Sequence, residues 1–474
     1  MAEAKVALST IFALSANLAI ALTASFCSTR KNLCSTENWT FVCLKHFVSL
    51  SAPTGANINK YQKYHKYDKE TNAKERFSNS ILTRNLLSVA CVIIAILTTS
   101  CGNDENDAPT VITHNPAAYI KDDGKLAMLH AMRDVDGTGR LYEIDYTADY
   151  RLDDVLKAGY TQTNQLFSYI AYLLYDGIPK SQAKVSLGTG CSAFAAPERQ
   201  SGNFMMGRNY DYRHSTADGK SYKSIAAILV HTAPAGGKRS ISMVDGMNLG
   251  YGKGFYTDGT TDLSLLMGLP YAALDGINED GFAIGVLSLN ENQTNQQTGK
   301  PRIGTTTAIR MLLDKASTVN EAIQLLGSYD MDMRGNGRGN YHYFMADATG
   351  DYAIVEYTRP KGETTPRVME VLKGNDTLRC VTNFYVSPTM VGTTDGWGSK
   401  HGKARYDTLR NTLRANNYVL KAADAMPLLQ AVSQPPTEEL TSQTQWSALY
   451  DLSEKTLRLS ILREYGKTFN FKIK

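Results

Sequence analysis

The part of the chain that follows residue 101 has very little cysteine. Of the seven cysteines in the 474 residues, five lie at or before position 101, and only Cys191 and Cys380 follow. We therefore do not expect a disulfide framework there. Apolar residues make up 43% of the sequence, which is enough for a large hydrophobic core.

A strong excess of charge of one sign is also missing. The chain has 50 Lys and Arg against 46 Asp and Glu. The first 100 residues hold eleven of the basic and five of the acidic residues, a net charge of +6, so the other 374 residues carry 39 and 41 and a net charge of −2. This balance gives no reason to expect a nucleic-acid partner.

Familiar metal and cofactor motifs are absent. None of the eight histidines is paired at a metal-ligand spacing. The sequence has no His-Glu-x-x-His, no Cys-x-x-Cys, no phosphate-binding loop and no dinucleotide fingerprint. We therefore expect no cofactor and no metal.

Residues 1–100 have the features of a leader. Residues 86–97 form an uncharged apolar run of 12, preceded by Arg84 and followed by small residues that lead into Cys101. A membrane-spanning helix needs about 20 residues, so this run suits the apolar centre of a signal peptide. It resembles a bacterial lipoprotein signal, although Thr98 stands where that pattern usually has Leu. The resemblance implies lipidation of Cys101 and a location in the bacterial cell envelope, either lipid-anchored on the outer membrane or the periplasmic face, or exported.

A second apolar stretch, residues 6–26, is hard to reconcile with that signal. No methionine occurs between Met1 and Met128, so one interpretation is a start assigned too far upstream, with true initiation near residue 80. The alternative is an N-terminal membrane anchor at residues 6–26.

The remaining sequence predicts an α+β fold. Residues 115–190 have a mainly helical pattern, with candidates at 126–133, 152–157 and 164–175. Strand-like runs follow at 225–231, 240–244, 282–289, 341–347, 352–357 and 367–372, and further helices at 306–315, 319–326, 404–415 and 422–432. Antiparallel sheets covered by helices fit this order.

One pair of short motifs points to chemistry. Gly190-Cys191-Ser192 is followed 17 residues after the cysteine by Arg208, and then by Asp211. Taken alone, Cys191 has the pattern of a small core residue. If cleavage makes it the N-terminus, its own α-amine, with an ordinary pKa of about 7.7 to 8, is a base for the thiol. Arg208 would favour the thiolate, Asp211 would hold the amine, and Gly190 would leave the scissile bond open to attack.

These motifs resemble the choloylglycine hydrolase superfamily of N-terminal nucleophile hydrolases. Supporting stretches are 276–281 leading into 287–291, 381–383, the Arg405 motif and 444–451. The resemblance covers residues 191–474 and implies a four-layer αββα sandwich, with two antiparallel sheets between helical layers.

The resemblance also implies the site residues. Cys191 matches the nucleophile, and Arg208 and Asp211 match the pair that positions it. Asn383 matches an asparagine of the oxyanion hole, and Arg405 matches the distal arginine. The second oxyanion residue is either Ser288 or Asn290, which lie two apart on one predicted strand and so share a face.

Within the superfamily, the spacing favours the acid ceramidase and N-acylethanolamine acid amidase branch. Asn383 and Arg405 are only 22 residues apart, without room for the hairpin of bile salt hydrolases and penicillin acylases. The resemblance implies cleavage at Gly190–Cys191. It divides the chain into a leader at 1–100, a tether and helical pro-segment at 101–190, and a catalytic domain at 191–474. The two cleaved chains would form a heterodimer.

The expected function is hydrolysis of a linear, non-peptide amide, with an apolar acyl group such as a bile acid or a fatty acid. Two alternatives remain open, an acyltransferase and a lipid-anchored binding protein that has lost catalysis. A third hypothesis is a papain-like catalytic set, because Cys191, His342 and Asn383 occur in the order that papain-like proteases use. It lacks their local cysteine signature, and His342 falls inside an apolar strand pattern.

Overall fold

Two β-sheets stacked face to face form the centre of the molecule. A computed structural model describes residues 114–176, 190–214, 225–289, 293–335, 339–393, 396, 402–436 and 443–474. All of these residues belong to one unit, Thr110–Lys474. The predicted signal segment, Cys101 and Asn290 lie outside the described residues.

The larger sheet has nine strands in the order β1-β2-β5-β6-β7-β8-β11-β12-β13. Its neighbouring strands are antiparallel except β2 and β5, which are parallel. The strands are β1 Arg133–Asp134, β2 Leu141–Tyr146, β5 Ala227–Thr232, β6 Ser240–Asp245, β7 Ala273–Asn278, β8 Ala283–Leu289, β11 Asn340–Ala346, β12 Tyr352–Thr358 and β13 Val368–Lys373.

The smaller sheet has six antiparallel strands in the order β14-β3-β4-β15-β16-β17. The strands are β3 Gly190–Pro197, β4 Phe204–Asp211, β14 Cys380–Val381, β15 Thr444–Asp451, β16 Thr456–Ile461 and β17 Phe469–Lys472. A separate parallel pair joins β9 Arg302–Gly304 to β10 Asp330–Asp332.

Helices cover the outer faces of both sheets. The helices are α1 Asp123–His130, α2 Leu152–Ala158, α3 Thr163–Leu174, α4 Thr305–Lys315, α5 Val319–Gly327, α6 Lys403–Ala415 and α7 Ala422–Ala431. Helix α4 packs on β7 and β8, and α5 packs on β12, whereas α6 packs on β3 and β14 and α7 on β4 and β15. The predicted αββα sandwich is confirmed. None of these helices, within the described residues, is long and apolar enough to cross a membrane.

The central strands are buried on both faces. Every residue of β4, β7, β8, β11 and β12 is buried, because each of these strands lies between the other sheet and a helical layer. Such strands appear in a sequence as continuous apolar runs rather than as alternating ones. The ionisable side chains inside these runs are therefore unusual.

The segment before Cys191 differs from its mainly helical prediction. The predicted helices at 126–133, 152–157 and 164–175 correspond to α1, α2 and α3. The prediction was wrong for Leu141–Tyr146, which is an internal strand of the larger sheet and pairs in parallel with Ala227–Thr232. Its pairing partner lies after the nucleophile, so the segment and the rest of the unit share one sheet.

Candidate active site

Cys191 lies at the start of β3, with its side chain directed into the layer between the sheets. Its pairing partner on β4 is Tyr210, and Cys191 is only 1% exposed. The Sγ atom accepts a hydrogen bond from Nη2 of Arg208 over 3.8 Å. The predicted nucleophile and the predicted arginine are thus in contact.

Arg208 is held by the opposite sheet. Its guanidinium is fully buried and forms an ion pair with Asp275 through Nη1. Its Nη2 also donates to the carbonyl oxygen of Val286, over 2.7 Å. Because both Nη atoms are held by the larger sheet, the N–H group that donates to Sγ keeps its direction. The planar guanidinium of arginine allows this, and the single ammonium of lysine does not.

Asp275 is a site residue that the sequence analysis missed. It lies on β7 and accepts from Arg208, from Nε1 of Trp446 over 3.1 Å and from the hydroxyl of Tyr450. In the sequence, Asp275 stands out as an acidic residue shortly after the apolar stretch Ser264–Ala272. A buried acid in such a run needs a partner, but the sequence does not show that the partner is an arginine 67 residues earlier in the chain.

The main chain of Cys191 is held by Asn383 and Arg405. The Cys191 amide donates to Oδ1 of Asn383 over 2.6 Å. Arg405 donates from Nη1 to the Cys191 carbonyl oxygen over 2.5 Å and from Nη2 to Oδ1 of Asn383 over 2.8 Å. Two donors on Oδ1 fix the orientation of the Asn383 amide.

The other Asn383 contact bears on the oxyanion prediction. Its Nδ2 donates to the carbonyl oxygen of Ser288, over 2.8 Å. Ser288 therefore presents its main chain to the site. Strand alternation sets its side chain on the face opposite to Gly285, away from Arg208. The oxyanion roles of Asn383, Ser288 and Asn290 stay predictions, and Asn290 lies outside the described residues.

Asp211 lies directly opposite Gly190, on β4. It is fully buried and accepts hydrogen bonds from Oγ1 of Thr444 over 2.5 Å and from Nε2 of Gln434 over 2.8 Å. Its Oδ2 is 3.6 Å from Nη1 of Arg405. The structure thus gathers Gly190, Cys191, Arg208, Asp211, Asn383 and Arg405 around one peptide bond.

Burial and charge oppose each other at the nucleophile. Burial raises the pKa of the Cys191 thiol, and the neighbouring Arg208 acts to lower it. Burial likewise raises the pKa of Asp211 against the effect of Arg405. Because burial dominates at Cys191, the thiol favours its neutral form, and a base has to take its proton before it can attack.

His342 is not placed to be that base. Its Nδ1 lies 3.0 Å from Oε1 of Glu356, and its Nε2 lies 2.8 Å from the carbonyl oxygen of Thr382. Both ring nitrogens are engaged away from Sγ, so the papain-like arrangement is not supported.

One group of side chains has the composition of a metal site. Glu143, Asp145 and His231 bring their ligand atoms within 4.8 Å of one another. The Nζ atom of Lys474 lies 2.6 Å from Asp145 and 3.3 Å from Glu143, and Arg133 also pairs with Glu143. The two carboxylates already have cationic partners, and we assign no metal to them.

Comparisons with known proteins point to one family. The family model for acyl-coenzyme A:6-aminopenicillanic acid acyl-transferase matches residues 198–463. This span contains Arg208, Asp211, Asn383 and Arg405, and it begins seven residues after Cys191. No curated protein matches the chain.

Solved structures that match the chain are distant in sequence. A mutant conjugated bile acid hydrolase from Clostridium perfringens is 17% identical with a TM-score of 0.39, covering 60% of this chain and 92% of its own. Penicillin V acylase from Agrobacterium tumefaciens is 18% identical with a TM-score of 0.39, covering 57% of this chain and 83% of its own.

Proposed function

Since the chain belongs to the acyl-coenzyme A:6-aminopenicillanic acid acyl-transferase family of N-terminal nucleophile enzymes, we propose that it cleaves a linear, non-peptide amide through a thioester on Cys191. At the coarser level it is an acyl-amide hydrolase or acyltransferase. The observation that carries the proposal is the pair of contacts at Cys191, with Sγ on Arg208 and the main chain on Asn383.

The proposed reaction begins with release of the Cys191 amine. In the described chain this nitrogen is a peptide N–H bonded to Asn383. Cleavage of the Gly190–Cys191 bond by water would turn it into an amine next to its own thiol. The amine would take the thiol proton, Sγ would attack the amide carbonyl carbon, and the carbon–nitrogen bond would break as the ammonium returns its proton to the departing amine.

The second half of the reaction consumes the thioester. In hydrolysis, the Cys191 amine takes a proton from water, the hydroxide adds to the thioester carbon, and the carbon–sulfur bond breaks as the ammonium returns the proton to Sγ. The products are a carboxylic acid and the free thiol. Cys191 is thereby restored without a metal or cofactor in any step.

We propose that the segment before Cys191 stays bound after cleavage. Its strand β2 is an internal strand of the larger sheet, and five of its six residues are buried. The hydroxyl of Thr161 donates to the buried carboxylate of Asp332 over 2.6 Å, and Arg140 pairs with Glu464 over 2.6 Å. Losing the segment would expose the edge of β5, which supports a heterodimer of the two chains.

Acyl transfer is the second candidate, because the matching family model is named for an acyltransferase. The first half-reaction is the same, and an amine replaces water in the second. For the acyl group we propose a bile acid or a fatty acyl chain. We also propose that Cys101 carries a lipid anchor to the bacterial envelope. Radiolabelled palmitate that enters the wild type and not Cys101→Ala would support the anchor.

The deciding experiment is an amine-release screen of processed protein. The panel contains tauro- and glyco-conjugated bile acids, N-acylethanolamines and N-acyl amino acids, each assayed with and without an added amine acceptor. Cys191→Ala tests the nucleophile. Cys380→Ala is the matched control, because Cys380 is also buried and lies on β14 beside β3.

We expect Cys380→Ala to retain the wild-type rate and Cys191→Ala to lose it. Turnover by Cys191→Ala would overturn the assignment of the nucleophile. An active wild type that shows only an unprocessed Gly190–Cys191 bond in mass spectrometry would overturn the cleavage. Substrate binding by a wild type that never turns over would favour a binding protein.

A further inference from the structure

A histidine and a glutamate are buried between the two sheets, beside the segment that carries Asn383. His342 belongs to β11 and Glu356 to β12, and both are 0% exposed. Their side chains pair over 3.0 Å. Burying two ionisable groups costs stability unless other interactions compensate. The contacts of this pair should therefore show what it contributes to the structure or to catalysis.

The pair holds residues 382–387, which we call the Asn383 segment, at both ends. Nε2 of His342 lies 2.8 Å from the carbonyl oxygen of Thr382, which precedes Asn383. At the other end, Oε1 of Glu356 accepts from the Val386 amide over 3.0 Å, and Oε2 accepts from the Ser387 amide over 2.9 Å. Asn383 thus lies between two fixed points.

The partners of the pair restrict where its protons lie. Nε2 of His342 donates, because the Thr382 oxygen is a carbonyl. The proton between Nδ1 of His342 and Oε1 of Glu356 makes the pair ionic when it lies on His342 and neutral when it lies on Glu356. In the ionic form, the two main-chain N–H groups and Nδ1 all donate to a charged carboxylate, which makes these hydrogen bonds charge-assisted.

We propose that His342 and Glu356 form a buried imidazolium–carboxylate clamp that positions Asn383 and, through it, the main-chain nitrogen of Cys191. The Cys191 nitrogen is 2.6 Å from Oδ1 of Asn383, and this nitrogen becomes the catalytic amine in the proposed function, on which the clamp rests. His342 and Glu356 touch neither Sγ nor the reacting atoms. They are positioning residues.

The chain contains a matched control pair. His231 on β5 and Glu143 on β2 also pair within the larger sheet, over 2.9 Å, with side chains 7% and 6% exposed. Within the described residues, neither side chain forms a hydrogen bond or ion pair with a residue around Cys191. His231→Gln and His342→Gln therefore remove the same kind of pair from the same sheet, and only the second pair holds the Asn383 segment.

The first test needs no measurement of activity. We expect ¹⁵N-histidine-labelled wild type to show two slowly exchanging ring N–H signals for His342 in NMR spectra. Both should vanish in His342→Gln and persist in His231→Gln. A single ring N–H signal at His342 would overturn the clamp as an ion pair.

The second test separates positioning from stability. We expect His342→Gln to lower kcat for amine release by about 10-fold or more, because small displacements of a catalytic group are costly in rate, while KM stays close to that of the wild type. His231→Gln should change neither. Equal losses in both variants, or a loss confined to thermal stability, would overturn the proposal.

Alkylation of Cys191 by iodoacetamide, followed by mass spectrometry, gives a readout without substrate. We expect slower alkylation in His342→Gln than in His231→Gln or the wild type, because a misplaced amine removes the thiol proton less well. If no substrate releases amine, the proposed function fails, and this rate still decides the clamp. Equal alkylation rates in all three proteins would overturn it.

Discussion

Gly285 leaves the space through which the Arg208 side chain reaches the layer between the sheets. A Cβ atom at position 285 would lie 2.8 Å from Cδ and 3.0 Å from Nε of Arg208. Real Cβ atoms essentially never lie within 3.0 Å of another heavy atom, so an added methyl has to displace the arginine. Glycine at position 285 is therefore required for the observed position of Arg208.

Gly285→Ala is expected to impair the enzyme while the fold persists. The displaced guanidinium would lose its alignment with Sγ of Cys191, and kcat for amine release should fall by about 10- to 100-fold. Gly327→Ala is the control, because its Cβ would meet only Cε of Met369 at 3.5 Å. Steady-state kinetics and circular dichroism of both variants check this. A fully active Gly285→Ala would contradict the account of Arg208.

The charge of Arg208 should be visible in the titration of the thiol. Burial raises the pKa of Cys191 and Arg208 opposes the rise. Removing the arginine should therefore raise this pKa further. The double variant Arg208→Gln, Asp275→Asn removes the ion pair without leaving a buried carboxylate unpaired.

The pH dependence of Cys191 alkylation measures this shift. The midpoint of the alkylation rate should move to higher pH in the double variant. Arg310→Gln with Asp314→Asn is the control, since it removes another buried pair, joined over 2.6 Å, on helix α4. An alkylation midpoint that moves equally in both double variants would show that Arg208 has no specific effect on the thiol.

Local patterns in the sequence predicted much of the fold. The helix predicted at 164–175 is Thr163–Leu174, and the helix predicted at 319–326 is Val319–Gly327, where Oγ1 of Thr318 accepts from the Glu321 amide over 3.2 Å. These features depend on residues three or four apart. Leu141–Tyr146 was missed because its partner strand follows much later in the chain.

The site residues also divide into those that a local motif predicts and those that only long-range contacts reveal. Cys191, Arg208 and Asp211 could be found because they lie close together in the sequence and resemble a known motif. Asp275 and the His342–Glu356 pair could not, because their roles arise from contacts between residues that lie far apart in the sequence. The choice between Ser288 and Asn290 depends on where β8 ends, and periodicity predicts element ends poorly.

Glu143 should make folding sensitive to acid. Its hydrogen bond from His231 is the largest cause that lowers its pKa, from an ordinary 4.5 to about 2. An acid with a lowered pKa stabilises the folded state above its unfolded pKa, and this contribution is lost as pH falls from about 4.5 to about 2. The side chain is only 6% exposed, so the contribution at neutral pH is about 3 kcal/mol.

Glu143→Gln should therefore unfold at lower urea concentration than the wild type at pH 7, and the difference should shrink as the pH approaches 2. Urea unfolding at pH 7, 5 and 3 checks this. Asp145→Asn is the control, because Asp145 is 55% exposed and its pairing with Lys474 is worth little. A wild-type advantage over Glu143→Gln that is as large at pH 3 as at pH 7 would contradict the assignment.

Substitution of Arg405 shows whether the main chain of Cys191 has to be held by a guanidinium. Its two Nη atoms bind the Cys191 carbonyl oxygen and Oδ1 of Asn383 at once. A lysine carries one ammonium and cannot reproduce this fork. Arg405→Lys keeps the charge that faces Asp211 but loses one of the two contacts. We expect kcat to fall by about 10- to 100-fold.

The measurement has to separate catalysis from processing. The fraction of chains cleaved at Gly190–Cys191, read by mass spectrometry, gives the concentration of competent enzyme, and kcat is then expressed per cleaved chain. Arg410→Lys, on the same helix α6, is the control for the helix itself. If Arg405→Lys cleaves fully and turns over like Arg410→Lys, charge alone suffices at this position. If its kcat falls while KM holds, the fork positions the nucleophile for the transition state rather than for substrate binding.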